Sequence, residues 1–103
     1  MARTESYKEN LLESLKNPGS AAEYLTACLE DGDVNVFLLA LRDVADAQGG
    51  VRKLSGRSRL NRENLYRMLS RAGNPSLSSL DSVLGSLGLR LAVAPRHQAG
   101  APR

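Results

Sequence analysis

The stretch "RSRLNRENLYRML" (residues 57–69) carries Arg57, Arg59, Arg62 and Arg67 among leucines at 60, 65 and 69. On a helix advancing about 100° per residue, Leu65, Met68, Leu69 and Ala72 share one sector and must face a core. The opposite sector holds Glu63, Tyr66, Arg67 and Ser70, flanked by Arg62 and Arg71. These side chains suit one chemistry well. A guanidinium can bind guanine O6 and N7 bidentately, and a carboxylate can accept from cytosine N4, on a face of the width a DNA major groove admits. Arg62, Glu63, Tyr66 and Arg67 are therefore the candidate base-reading residues. Lys53, Arg57, Arg59 and Arg71 surround that face as phosphate contacts. Ser76, at the start of a later helix, would add backbone N–H groups for another phosphate.

Other chemistries find little support. His97 is the only histidine and lies near the C-terminus, so no Ser-His or Cys-His pair has a folded partner. Cys28 falls on the apolar side of a helix and reads as core. No His/Cys cluster has metal-ligand spacing. Asp31 and Asp33 in "EDGD" lack the remaining ligands of a calcium loop, and "QGG" (48–50) lacks the lysine spacing and preceding strand of a phosphate loop. The expectation is a non-enzyme with no cofactor and no metal site.

The elements that must position the basic face follow from periodicity and breakers. Tyr7, Leu11, Leu12 and Leu15 have helical spacing up to "NPGS" (17–20). A second helix, capped at Ser20 or a neighbour, places Ala22, Leu25, Cys28 and Leu29 on one side and stops at "EDGD" (30–33), where Asp33 caps the next helix. The third helix is the clearest, with Phe37, Ala40, Leu41, Val44 and Ala45 as its stripe; Val36, Leu38 and Leu39 widen it enough to pack on two sides. After "QGG" come two turns of helix over 51–58, with Val51, Leu54 and Ser55 inward, and a tight connection "RLN" (59–61). Asn61 caps a helix expected to run to about Ala72. "GNPS" (73–76) precedes a last helix with Leu77, Leu80, Val83, Leu84 and Leu87, ended by Gly88. "LRLAV" (89–93) alternates like a short strand. Two short helices joined by a tight turn inside a small helical domain make a helix-turn-helix.

The expected architecture is thus all-α, a compact helical bundle with a helix-turn-helix and a short C-terminal β-strand. It divides into an N-terminal acidic helical extension (1–33), a DNA-binding domain (34–94) and a disordered tail (95–103). With 103 residues, 42% hydrophobic and 24% charged, the composition is that of one small globular domain. A single cysteine excludes an internal disulfide framework. The segment "MARTESYKENLLESLK" has no uninterrupted apolar run and nothing approaches a membrane span, so the expected location is the cytoplasm and no membrane partner is expected.

The net charge of +3 conceals a division. Residues 1–48 hold four Lys and Arg against nine Asp and Glu, a formal −5; residues 49–103 hold ten against two, a formal +8. Such a split suggests two partners of opposite charge, one for each half.

The blocks "FLLALRDVADAQGGVRKL" (37–54), "NRENLYRMLS" (61–70) and "GNPSLSSLDSVLGSLGLRLAV" (73–93) together resemble the probable addiction-module antidote proteins, HigA-like antitoxins with a lambda-repressor-like helix-turn-helix of the Xre or Cro type. "AAEYLTACLEDGD" (21–33) resembles that family's N-terminal helical extension. The third block, with its Gly-Asn-Pro-Ser-Leu start and Leu-Gly-Leu-x-Leu end, is the most specific. One departure stands out: the turn position usually occupied by glycine holds Arg59, which requires either a positive φ or an altered turn. The resemblance implies an antitoxin of a type II toxin–antitoxin module that represses its own operon on double-stranded operator DNA, as a homodimer, and neutralises a small basic RelE- or ParE-like toxin. It also implies a toxin surface on the acidic half, with Tyr7, Leu11, Leu15 and Tyr24 as apolar anchors and Glu9, Glu13 and Glu23 as steering charges. For Leu11 and Leu15, packing on the third helix is an equal alternative. Two other functions compete: a free-standing Cro-like regulator whose acidic extension only enlarges the core, and an interaction module whose basic half binds RNA or an acidic protein.

Overall fold

The computed structural model describes the backbone of residues 2–96 and the side chains from Tyr7 to Arg96; most of the expected tail, including His97, lies outside the described residues. Among the described residues six helices follow one another: α1 (Ala2–Leu15), α2 (Pro18–Glu30), α3 (Val34–Ala47), α4 (Gly50–Ser58), α5 (Arg62–Met68) and α6 (Leu77–Ser86). Each boundary has a local cause. Asn17, rather than Ser20, caps α2: its side-chain oxygen accepts from the Ser20 N–H at 3.1 Å, and Pro18 follows in the first helical position, where a missing N–H is harmless. Asp33 caps α3 by accepting from the N–H groups of Asn35 and Val36. Asn61 and Ser76 do the same for α5 and α6. At the end of α6 the Leu89 N–H donates to the Leu84 carbonyl at 2.8 Å, while Gly88 takes φ 81°, the left-handed closure that glycine permits.

Two expectations are corrected. The helix after Asn61 stops at Met68, not near Ala72. Leu69 still donates to Leu65, but the chain then folds back sharply, with the Gly73 N–H donating to Ser70. Only glycine fits there, because a Cβ on residue 73 would lie 2.2 Å from the Met68 carbonyl oxygen. The second correction concerns the C-terminal strand. Among the described residues no β-strand forms, and 89–93 carries no regular structure. Apolar alternation is present, but a strand also needs a neighbouring backbone to complete its ladder, and an all-helical chain supplies none.

One core serves the whole molecule. Leu15 of α1, Leu25 of α2, Leu41 of α3, Leu54 of α4, Leu65 of α5 and Val83 of α6 all belong to it. α3 is the central element, packing against α1 and α2 on one side and α4 on the other, as its broad apolar stripe requires; α4 in turn carries α5 and α6. No described helix is long and apolar enough to cross a membrane.

Candidate nucleic-acid interface

The segment from α4 through α5 to the start of α6 is held by serines. The Ser55 hydroxyl donates to the Leu60 carbonyl at 2.7 Å, and the Leu60 N–H donates to Ser58 Oγ at 3.2 Å. The Ser82 hydroxyl of α6 donates to the Ser58 carbonyl at 3.1 Å, so the connection is anchored from the far side as well. Ser58 is 6% exposed, the one buried polar side chain among the described residues, and its hydroxyl and carbonyl both serve the turn. The sequence reading placed Ser55 inward but missed Ser58 and Ser82. Their signal is faint, since serines occur throughout this chain.

Arg59, between α4 and α5, adopts φ 66° and ψ 16° and is the only non-glycine residue with positive φ among those described. The chain therefore accepts the left-handed conformation with an arginine rather than altering the turn. That leaves its guanidinium exposed at the connection between the two helices.

Around this frame the expected residues are distributed as follows. Lys53 and Arg57 are exposed on α4, Arg62, Glu63 and Arg67 on α5, and Arg71 just beyond it. Lys53, Arg57, Arg59, Arg62, Arg67 and Arg71 make no ion pair with any described residue; the ion pairs found are Lys16–Glu13 and Arg42–Asp46. Even Glu63 and Arg67, one helical turn apart, remain unpaired with each other. The positive charge of these side chains is left uncompensated among the described residues. A cleft of about 350 Å³ opens between α5 and the start of α6, where Asn64 and Arg67 meet Asn74, Ser76 and Ser79. It brings Arg67 and Ser76, assigned to different tasks by the sequence, to one place. Tyr66 leans the other way, with its ring 4.8 Å from the guanidinium carbon of Arg42 on α3.

The acidic half is arranged differently. Glu9, Glu13 and Glu23 are exposed, Glu13 pairing with Lys16 at 3.0 Å, and Tyr7 is 70% exposed. Leu11 is half-buried against the core. Leu15 is 1% exposed and sealed beneath α1, so its side chain meets no partner while that helix stays docked; this corrects its place among the anchors in favour of the packing role. Tyr24 is half-buried and its hydroxyl donates to Asp43 of α3 at 3.0 Å. Burial, reinforced by the bond to Asp43, pushes this phenol above the usual tyrosine range. Burial likewise raises the Cys28 thiol, aided by Asp31 and Asp43, and keeps it protonated.

The whole describes a small all-helical protein with cations unpaired among the described residues on and around α4 and α5, and with an excess of acids spread from α2 to α3. Residues 5–95 match the family described as "Probable addiction module antidote protein", and the chain belongs to that family. It is similar to an uncharacterised protein of Haemophilus influenzae, 30% identical over 91 residues that span 87% of this chain and 93% of the relative. No solved structure gives a significant match.

Proposed function

We propose that the chain is the antitoxin of a type II toxin–antitoxin module. It binds operator DNA through a helix-turn-helix made of α4 and α5, represses its own operon, and neutralises a small basic RelE- or ParE-like toxin by direct binding. It acts as a regulatory protein without catalysis. The observation that carries the DNA half is the set of six cations, unpaired among the described residues, around a turn locked by Ser55, Ser58 and Ser82. Phosphate contacts fix register and supply salt-dependent affinity, and outward residues of α5 supply base readout. On this reading Arg62, Glu63, Tyr66 and Arg67 face base edges, while Lys53, Arg57, Arg59, Arg71 and Ser76 meet phosphates. Because one such helix covers only a few base pairs, the DNA-bound form is a two-fold dimer on half-sites about one helical turn apart. The division between residues 1–33 and 34–94 is then one of partners and not of packing, since both parts share a core.

Membership of an antidote family supports the toxin half of the proposal. The burial of Leu15, Ala21 and Leu25 favours a second reading, a free-standing regulator in which α1 and α2 only complete the core. Co-expression with the protein of the adjacent small open reading frame, followed by co-purification and footprinting of the promoter, separates the two. A 1:1 or 2:1 complex together with a protected operator supports the antitoxin. A footprint without a complex supports the regulator, and neither result is compatible with an RNA- or protein-binding module.

A further inference from the structure

Arg42 is easily assigned to the wrong half of the molecule. No other Lys or Arg occurs between Lys16 and Arg52, and Arg42 sits on α3 beside Asp43 and near Asp46, so charge pattern alone counts it with the acidic extension. The fold carries it to the basic face. Its guanidinium carbon lies 4.8 Å from the centroid of the Tyr66 ring on α5, and its Nε donates to Asp46 Oδ1 at 3.4 Å. Two helical turns earlier, on the same face of α3, the Asn35 side-chain amide donates to the carbonyl of Arg71 beyond the end of α5. Polar side chains of α3 thus hold the α5 segment at two points, while Leu65 and Met68 anchor its apolar side in the core.

Two features distinguish Arg42 from the phosphate candidates. Asp46 engages it and offsets part of its charge, whereas Arg57, Arg59, Arg62, Arg67 and Arg71 have no ionic partner among the described residues. Its guanidinium also lies over Tyr66, a ring that is 49% exposed on the seven-residue α5. A cation over one face leaves the edge and hydroxyl of the ring for a partner while removing alternative orientations.

We propose that Arg42 is a positioning residue for sequence reading: stacked on Tyr66 and tethered by Asp46, it fixes the ring on the outward face of α5 and so sets the base preference where Tyr66 meets DNA. The proposal rests on the reading of α5 as the DNA-facing helix. The experiment compares the promoter duplex of the chain's own gene with a random duplex of equal length, for Arg42→Gln and Arg42→Lys in the wild-type and Tyr66→Leu backgrounds. Loss of an exposed cation–π contact corresponds to about a two- to fivefold loss of preference for the promoter duplex. That loss is expected in the wild-type background and absent in Tyr66→Leu. Arg42→Lys should leave random-duplex affinity unchanged and still not recover the full preference, because an ammonium lacks the planar guanidinium that covers the ring. In the free protein, NMR should show the Arg42 δ-protons shifted upfield by the ring, with the shift lost in Tyr66→Leu and kept in Tyr66→Phe. Equal losses on both duplexes and in both backgrounds would make Arg42 a charge only, and an unchanged preference would make it a bystander; either overturns the proposal. A wild-type protein with no preference for the promoter duplex overturns the DNA reading itself, and this inference with it.

Discussion

Arg59 holds a backbone conformation that disfavours any side chain with a Cβ, with φ 66° in a turn whose neighbours are fixed by Ser55 and Ser58. The left-handed region costs a non-glycine residue about 1–2 kcal/mol, partly offset by the greater unfolded-state freedom of glycine. Arg59→Gly should therefore raise stability by roughly 1 kcal/mol, a rise in Tm of about 4–8 °C for a domain of this size. If the guanidinium meets a phosphate, the same substitution should weaken binding to all duplexes alike and lower the salt slope by about one. Thermal melting and salt-dependent titrations read the two effects separately, and an unchanged salt slope would remove Arg59 from the phosphate contacts. Tyr24 supports an opposite kind of test. Its phenol is raised by burial and then by Asp43, so the fold favours the neutral form. That contribution is complete below the unfolded tyrosine value near pH 10 and is lost as pH rises from there toward the folded value. Tyr24→Phe should lose about 1 kcal/mol at neutral pH with the hydrogen bond, yet show a shallower decline in urea midpoint as the pH rises above about 10.

At the scale of elements, α1 is the informative case. Its spacing of Tyr7, Leu11 and Leu15 was legible as an amphipathic helix, but the same pattern serves a partner or a core. The structure separates them along the helix, with Tyr7 exposed, Leu11 half-buried and Leu15 sealed. Leu15→Ala should then cost about 2–5 kcal/mol, as expected for a buried leucine truncated in a packed site. Because all six helices share one core, denaturation should remain a single transition, with near- and far-UV dichroism falling together. A separate early transition for α1 would mean that the extension folds as an accessory. All six helices were readable from stripes and breakers because each ends at a local signal such as Asn17-Pro18, Asp33 or Gly88. The end of the short α5 is the exception, since it depends on a backbone approach between Gly73 and Met68 that only the folded chain defines. The absent strand has a similar cause: Leu89, Leu91 and Val93 alternate, yet pairing is a property of two segments. The basic face was legible as a set of residues, but Arg42 and Ser82 were not, because each acts across the fold on another helix.

For the molecule as a whole, the question is what an acidic half contributes to a protein whose other half is proposed to meet phosphates. A charge of −5 over residues 1–48 repels DNA, so for DNA binding alone it is a disadvantage. For a basic toxin it is complementary, and complementary charge chiefly raises the association rate and suppresses wrong partners. Removing α1 is a poor test, because the deletion also takes Leu15 from the core. Glu9, Glu13 and Glu23 are exposed on α1 and α2, and of these only Glu13 has an ionic partner among the described residues. Their simultaneous replacement by Gln should leave the fold within about 1 kcal/mol of wild type, since exposed charges contribute little to stability. Toxin association, followed by stopped flow or surface binding, should slow by about tenfold at roughly 0.05 M salt and differ little from wild type at roughly 0.5 M, where the screening length is only a few ångströms. Dissociation should scarcely change, because residence depends on apolar contacts such as Tyr7. Affinity for a random duplex should rise slightly in the same variant, as the repulsion is relieved. Equal association rates for variant and wild type at low salt would detach the acidic face from toxin capture, and the contact would then be sought on the rest of residues 20–48 or on the exposed side chains of Leu91 and Val93.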